Sequence, residues 1–150
     1  VIARSMNNFG MRQHPEKLIA KIIVRCLSDK SFTLFKGGAV RGWIFVIDTC
    51  SALKTIMDKG IDGEIYHVPP TTYLTVPAVA TRILKLMGKE HLYKGFEGER
   101  LKDDERYALD GSKMTDNLKW QPQYTFDDGL LATIKWFEEN QWFWRHVESP

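Results

Sequence analysis

An α/β fold is predicted by three features of the chain. Short apolar runs alternate with segments whose apolar residues recur at helical spacing. Breakers fall between those segments, at Lys36-Gly37-Gly38, Lys59-Gly60, Pro69-Pro70 and Gly88. Helix-start signatures precede two of the helical segments, Thr75 ahead of Pro77 and Thr125 ahead of Asp128.

Val1 to Ser5 reads as a strand that enters at once as core. Domains seldom begin that way, so an amino-terminal portion is expected ahead of it. A dense polar loop, Met6 to His14, follows. Pro15 suits the first helical position and Glu16 the first turn, where the helix dipole favours a carboxylate. Leu18, Ile19, Ile22, Ile23, Cys26 and Leu27 then form one apolar face, with Lys21 and Arg25 opposite and solvated.

Ser31 to Phe35 and Arg41 to Val46 read as strands around the glycine turn. Asp48 is placed to cap a helix whose inward positions are Cys50, Leu53, Ile56 and Met57. Gly63 to Val68 is a strand, broken by Pro69-Pro70-Thr71-Thr72. Thr75 starts a third helix, with Val76, Val79, Ala80, Ile83, Leu84 and Met87 inward and Gly88 closing it. Glu90 to Glu105 reads as a long charged connection, and Arg106 to Leu109 as a short strand. Asp110 or Ser112 caps a short helix bearing Met114 and Leu118. Thr125 and Asp128 form a capping box before the last helix, which carries Phe126, Leu130, Ile134 and Phe137 and ends near Asn140. An aromatic tail, Trp142-Phe143-Trp144, follows.

The 150 residues are 43% hydrophobic and 27% charged. That is ordinary for one folded domain burying roughly 70% of its unfolded surface. A net charge of +2 supplies no field to gather nucleic acid or an anionic membrane. No apolar span is long enough to cross a bilayer, and a cytoplasmic location is the default expectation. Cys26 and Cys50 lie in helical patterns and are expected as buried, reduced thiols.

No glycine-rich dinucleotide fingerprint, P-loop or G-x-S-x-G elbow is present. The four histidines lack metal-ligand spacing. No tyrosine precedes a lysine by four residues, the pairing that lets a lysine lower a tyrosine's pKa. Anion-binding and stacking groups do fall on expected loops: Lys17, Arg41, and Arg100 with Lys102 and Arg106. Guanidinium groups hold diphosphate through paired hydrogen bonds, and Phe35 beside the glycine turn is placed to stack on a base. The plainer reading is that these are surface charges and a core aromatic.

Arg4 to Ile19, with Asn7-Asn8-Phe9-Gly10 and Gln13-His14-Pro15-Glu16-Lys17-Leu18-Ile19, resembles the R-x-S-N-N-Y-G-P-Y-Q-x-P-E-K-L-I run of dTDP-glucose 4,6-dehydratases. These are extended short-chain dehydrogenase/reductases of the NAD-dependent epimerase/dehydratase family. Val40-Arg41-Gly42-Trp43 with Val46-Ile47-Asp48 is similar to V-R-D-W-x-x-V-x-D, and Gly63-Glu64-Ile65-Tyr66-His67 to G-E-x-Y-N. Arg100 to Lys113 is similar to R-P-G-H-D-R-R-Y-A-I-D-S-S-K, and Leu118 to Pro122 to L-G-W-x-P.

The resemblance implies the carboxy-terminal half of such a Rossmann-type enzyme. Residues 1–150 would be the nucleotide-sugar-binding half. The glycine-rich NAD loop and the tyrosine–lysine pair would lie in an amino-terminal Rossmann half outside this chain. The complete enzyme would be a homodimeric lyase converting dTDP-glucose to dTDP-4-keto-6-deoxyglucose. In it, hydride passes from C4 to NAD, water leaves across C5 and C6, and hydride returns to C6.

Carried over by position, Asn8 would contact sugar or phosphate, and Glu16, Lys17 and Leu18 would line the wall near sugar and diphosphate. Phe35 would stack on the base, and Arg41 and Arg100 would clamp the diphosphate. His67 would donate to a phosphate, and Asn7 would brace the loop near the nicotinamide. Departures from the family pattern at Phe9, Met11, Lys36, His67, Pro69 and Asp103 gather around diphosphate and base. Two other readings stay open on the sequence: half of a related epimerase or decarboxylase, and a non-catalytic binding or assembly module displaying the aromatic tail.

Overall fold

Residues 1–99 and 108–147 are described by a computed structural model of the chain. Seven strands and five helices follow in the order β1 (Ile2–Ser5), β2 (Asn7–Phe9), α1 (Leu18–Leu27), β3 (Phe32–Lys36), β4 (Val40–Phe45), α2 (Val46–Lys59), β5 (Ile65–Val68), β6 (Thr72–Thr75), α3 (Val76–Met87), β7 (Tyr93–Glu99), α4 (Ser112–Asp116) and α5 (Phe126–Glu139). The α/β expectation holds.

The strands form three small sheets. β1 pairs parallel with β5, β2 and β6 flank β4, and β3 pairs parallel with β7. Within the middle sheet β2 runs parallel to β4 and β6 antiparallel to it. One core lies between α1, α3, α5 and β4, filled by Phe9, Ile19, Ile23, Phe45, Ile83, Leu130 and Phe137. A second lies beneath α2, β5 and α4, around Ile44, Ile56, Tyr66, Val68 and Met114.

The caps of α3 and α5 are those the sequence spells, whereas α4 starts after Gly111 rather than from a cap by Asp110 or Ser112. The Thr75 hydroxyl accepts from the Ala78 N–H at 3.3 Å, and Gly88 closes α3 with φ of +63°, a left-handed conformation glycine adopts without strain. Thr125 and Asp128 complete the capping box of α5.

Several expectations are corrected. The loop from Met6 to His14 contains strand β2, because Asn7, Asn8 and Phe9 pair with Trp43, Ile44 and Phe45. α1 begins at Leu18, with Pro15 and Glu16 in the turn before it. The presumed connection from Glu90 carries β7 through Glu99, paired with β3. Ala108 and Leu109 are irregular rather than strand, while Arg106 lies outside the described residues.

α2 is turned by one position from the expected face. Asp48, Thr49, Ala52 and Ile56 are buried, whereas Cys50 is exposed and Met57 is 81% exposed. Asp48 does not cap α2. Its carboxylate accepts from the backbone N–H groups of Gln123 at 2.9 Å and Tyr124 at 3.2 Å. β1 is also not core: all four of its residues are exposed. In the tail, Trp144 is buried and donates its indole N–H to the Phe137 carbonyl at 2.9 Å, while Trp142 is 72% exposed.

Candidate functional site

A cavity of about 970 Å³ opens where β2, β4, the start of α1 and the β3–β7 ribbon meet. Asn7, Asn8, Glu16, Lys17, Leu18, Phe35 and Arg41 all line it. His67 does not. It sits on β5 opposite Arg4 of β1, in a different sheet, so the structure gives it no place in this wall. Arg100 lies outside the described residues.

The β2 wall is held rigidly. Asn8 donates its side-chain amide to the Ser5 hydroxyl at 3.0 Å and accepts from the Thr49 hydroxyl of α2. Gln13 donates to the Asn8 carbonyl at 2.7 Å, drawing the following turn back onto the strand. The Asn8 side chain keeps one N–H and one lone pair beyond these bonds, so its first task is bracing. Asn7 lines the same cavity.

Arg41 comes from β4 and is 8% exposed, the one buried cation of the cavity among the described residues. Its Nη1 donates to its own neighbour's carbonyl, that of Val40, at 3.1 Å. Gly42 beside it is pressed by Met6 and the Pro70 ring, each 2.9 Å from where a Cβ would sit. The opposite wall is the β3–β7 ribbon. Leu34 points inward and is buried, so Thr33 and Phe35 share the open side, as strand alternation requires. Phe35 is 58% exposed.

Charge sets the character of the cavity. Among the described residues its lining carries the cations Lys17, Lys21, Arg25, Lys36 and Arg41 and the carboxylates Glu16 and Glu97. Cations gathered in a concave wall favour an anionic ligand. Lys21 and Arg25 were expected on the solvated face of α1, and their place in this wall corrects that. Lys17, Lys21 and Arg25 fall at four-residue steps, which puts them on one stripe of the helix; that signal was in the sequence. Gln13, which the matched motif contains but which was not singled out, also lines the cavity, as do Thr33 and Glu97, which no motif announces. Among the described residues no cluster of side chains is arranged to hold a metal ion, and no helix is long and apolar enough to cross a membrane.

The family described as GDP-mannose 4,6 dehydratase matches residues 1–133. The low-salt glycan biosynthesis protein Agl12 of Haloferax volcanii is 38% identical over 138 residues, covering 91% of this chain and 44% of that protein. The dTDP-glucose 4,6-dehydratase of Streptomyces niveus is 33% identical over 151 residues, covering 100% of this chain and 45% of that enzyme. The chain thus spans less than half the length of these relatives.

Among solved structures, a double mutant of DesIV from Streptomyces venezuelae, a dTDP-glucose 4,6-dehydratase with NAD bound, superposes with a TM-score of 0.92 at 34% identity. It covers 98% of this chain and is itself covered to 46%. The UDP-glucose 4-epimerase of Thermotoga maritima, solved with UDP-glucose, gives a TM-score of 0.83 at 26% identity, over 93% of this chain and 46% of that one.

Proposed function

Because the chain belongs to the GDP-mannose 4,6 dehydratase family, with the fold of the NAD-dependent epimerases and dehydratases, we propose that it forms the nucleotide-sugar-binding portion of an NDP-hexose 4,6-dehydratase. A dehydratase or epimerase-family role follows from the kinship itself. The observation that carries the finer reading is the cavity. It gathers a buried arginine, an exposed aromatic and several further cations on walls drawn from β2, α1, β3, β4 and β7.

In this reading Arg41 and Lys17 hold the diphosphate, helped by Arg100, and Phe35 stacks on the base. Glu16 and Leu18 stand along the sugar, and Asn8 offers its remaining amide capacity there. Asn7 turns toward the nicotinamide. NAD would supply reversible hydride storage. This chain carries no glycine-rich strand-to-helix turn, so its own residues bind and orient the sugar rather than hold the dinucleotide.

The cofactor is assigned to a Rossmann portion lying outside this chain. Strand β1 supports that assignment. It is exposed along its length and pairs with β5 alone among the described residues, whereas parallel sheets are ordinarily covered on both faces. An added parallel strand on the open edge of β1 would complete it.

Calorimetric titration of the full-length protein with dTDP-glucose, UDP-glucose and GDP-mannose tests the proposal. Binding of at least one, followed by loss of one water from the bound sugar detected by mass, is expected. Failure of all three to bind overturns the nucleotide-sugar reading. Binding with C4 inversion and no loss of water replaces the dehydratase by an epimerase.

A further inference from the structure

Among the described residues α2 contributes nothing to the cavity lining, yet it reaches the cavity through one side chain. Thr49 is 8% exposed, and its hydroxyl donates to Asn8 Oδ1 at 2.5 Å. Asn8 is itself a lining residue. Its partner in the sheet, Ile44, belongs to the core beneath α2, which brings the Asn8 side chain within reach of that helix.

The Asn8 backbone is fixed twice, by pairing with β4 and by the Gln13 side chain, which donates to its carbonyl at 2.7 Å. What the backbone leaves free is the turn of the side-chain amide, a torsion that is broad and roughly twofold in asparagine. Ser5 holds the nitrogen, accepting from Nδ2 at 3.0 Å. That contact comes from three residues away and is exposed, so alone it lets the amide pivot about it. Thr49 comes from 41 residues away on another element and pins the opposite end. With both bonds made, the oxygen faces α2, one N–H is spent on Ser5, and one N–H remains.

We propose that Thr49 is a positioning residue for hexose recognition: acting through Asn8, it holds the amide so that the remaining N–H meets an oxygen of the bound sugar. The inference rests on the nucleotide-sugar reading above and adds to it a residue that lies outside the cavity lining. The diphosphate and base are assigned to Arg41, Lys17 and Phe35, so loss of the Thr49 hydroxyl is felt by the hexose alone.

The test is calorimetric titration of the full-length protein with dTDP-glucose, UDP-glucose and GDP-mannose, each beside its own nucleoside diphosphate. The pair whose nucleotide sugar binds the unmutated protein most tightly is then carried through the variants. Thr49→Val should weaken the nucleotide sugar about three- to tenfold and leave the diphosphate within twofold, as expected for one neutral hydrogen bond. Thr49→Ser, which keeps the hydroxyl, should bring the nucleotide sugar back to within twofold of the parent. Asn8→Ala should show the same selective loss, and adding Thr49→Val to it should cost nothing more. A purely structural role for Thr49 would move sugar and diphosphate together. Equal losses for the two, no loss in Thr49→Val, no recovery in Thr49→Ser, or additive losses in the double variant each overturn the inference and leave the nucleotide-sugar reading standing. Should Thr49→Val not fold, Thr49→Ala is read in its place. Asn8→Ala overturns the inference by itself if nucleotide-sugar affinity is unchanged, since Thr49 then has nothing to position. If none of the three nucleotide sugars binds the unmutated protein, the nucleotide-sugar reading fails and this inference with it.

Discussion

Replacing Arg41 should weaken nucleoside diphosphate binding in the full-length protein by roughly ten- to a hundredfold, since a hydrogen bond to a charged group contributes about 1.5–3 kcal/mol and each 1.4 kcal/mol is tenfold in affinity. Arg41 is the perturbation of choice because it is the buried cation of the cavity, at 8% exposure. Its attraction to a phosphate is screened less than that of the exposed Lys17 or Lys36. Arg41→Ala removes both charge and fork. Arg41→Lys keeps the charge but loses the paired geometry, and should recover only part of the affinity. The assay is calorimetry with GDP and dTDP, with guanosine and thymidine as controls that carry no phosphate. Nucleoside affinity should stay unchanged in both variants. Diphosphate affinity within twofold of the parent, or an equal loss for nucleoside and diphosphate, would show Arg41 to be a structural residue and remove the diphosphate from this end of the cavity.

Three further predictions concern the frame. Asp48→Ala should destabilise the protein by about 2–4 kcal/mol in urea unfolding, because the backbone donors of Gln123 and Tyr124 lose their buried side-chain acceptor; Asp48→Asn, retaining one acceptor, should cost less, and equal costs would refute that accounting. Gly10→Ala should lower the melting temperature, since a Cβ at Gly10 would lie 2.4 Å from Val46 Cγ1; a companion Val46→Ala should restore part of the loss, and no restoration would place the strain elsewhere. Burial pushes the Cys26 thiol up to about 11 from 9.0, so iodoacetamide near pH 8 should modify Cys50 and spare Cys26 in peptide maps of the native protein. By linkage the Cys26 contribution to stability is complete below pH 9, where both states hold the proton, and is lost as pH rises toward 11, where the unfolded chain ionises first. A stability profile flat from pH 8.5 to about 11, relative to Cys26→Ala, would contradict it.

The starts of α3 and α5 were legible because their signals are local. Thr75 and Thr125 meet donors within three residues, so nothing distant is needed to place them. The strands that went unread, β2, β6 and β7, are rich in Asn, Thr, Gly and Glu, and only their partners β4 and β3 make them strands. α2 offers two candidate apolar stripes, one through Cys50, Leu53 and Met57 and the other through Thr49, Ala52 and Ile56. The choice falls to Asp48, whose carboxylate must reach the backbone of Gln123 and Tyr124, and that partner lies 75 residues away.

The site divides along the same line. By itself the sequence determined the α/β class, the caps of α3 and α5 and the ordered motifs that place the chain in its family. It also held the four-residue steps of Lys17, Lys21 and Arg25 along α1. Tertiary structure alone decided that these cations share a wall with Arg41, that His67 stands apart from it, and that Glu97 meets Thr33 beside Phe35. Each of those meetings depends on which strands pair and in what register. Pairing is settled by burying faces far apart in the chain, and no local spacing of residues encodes it.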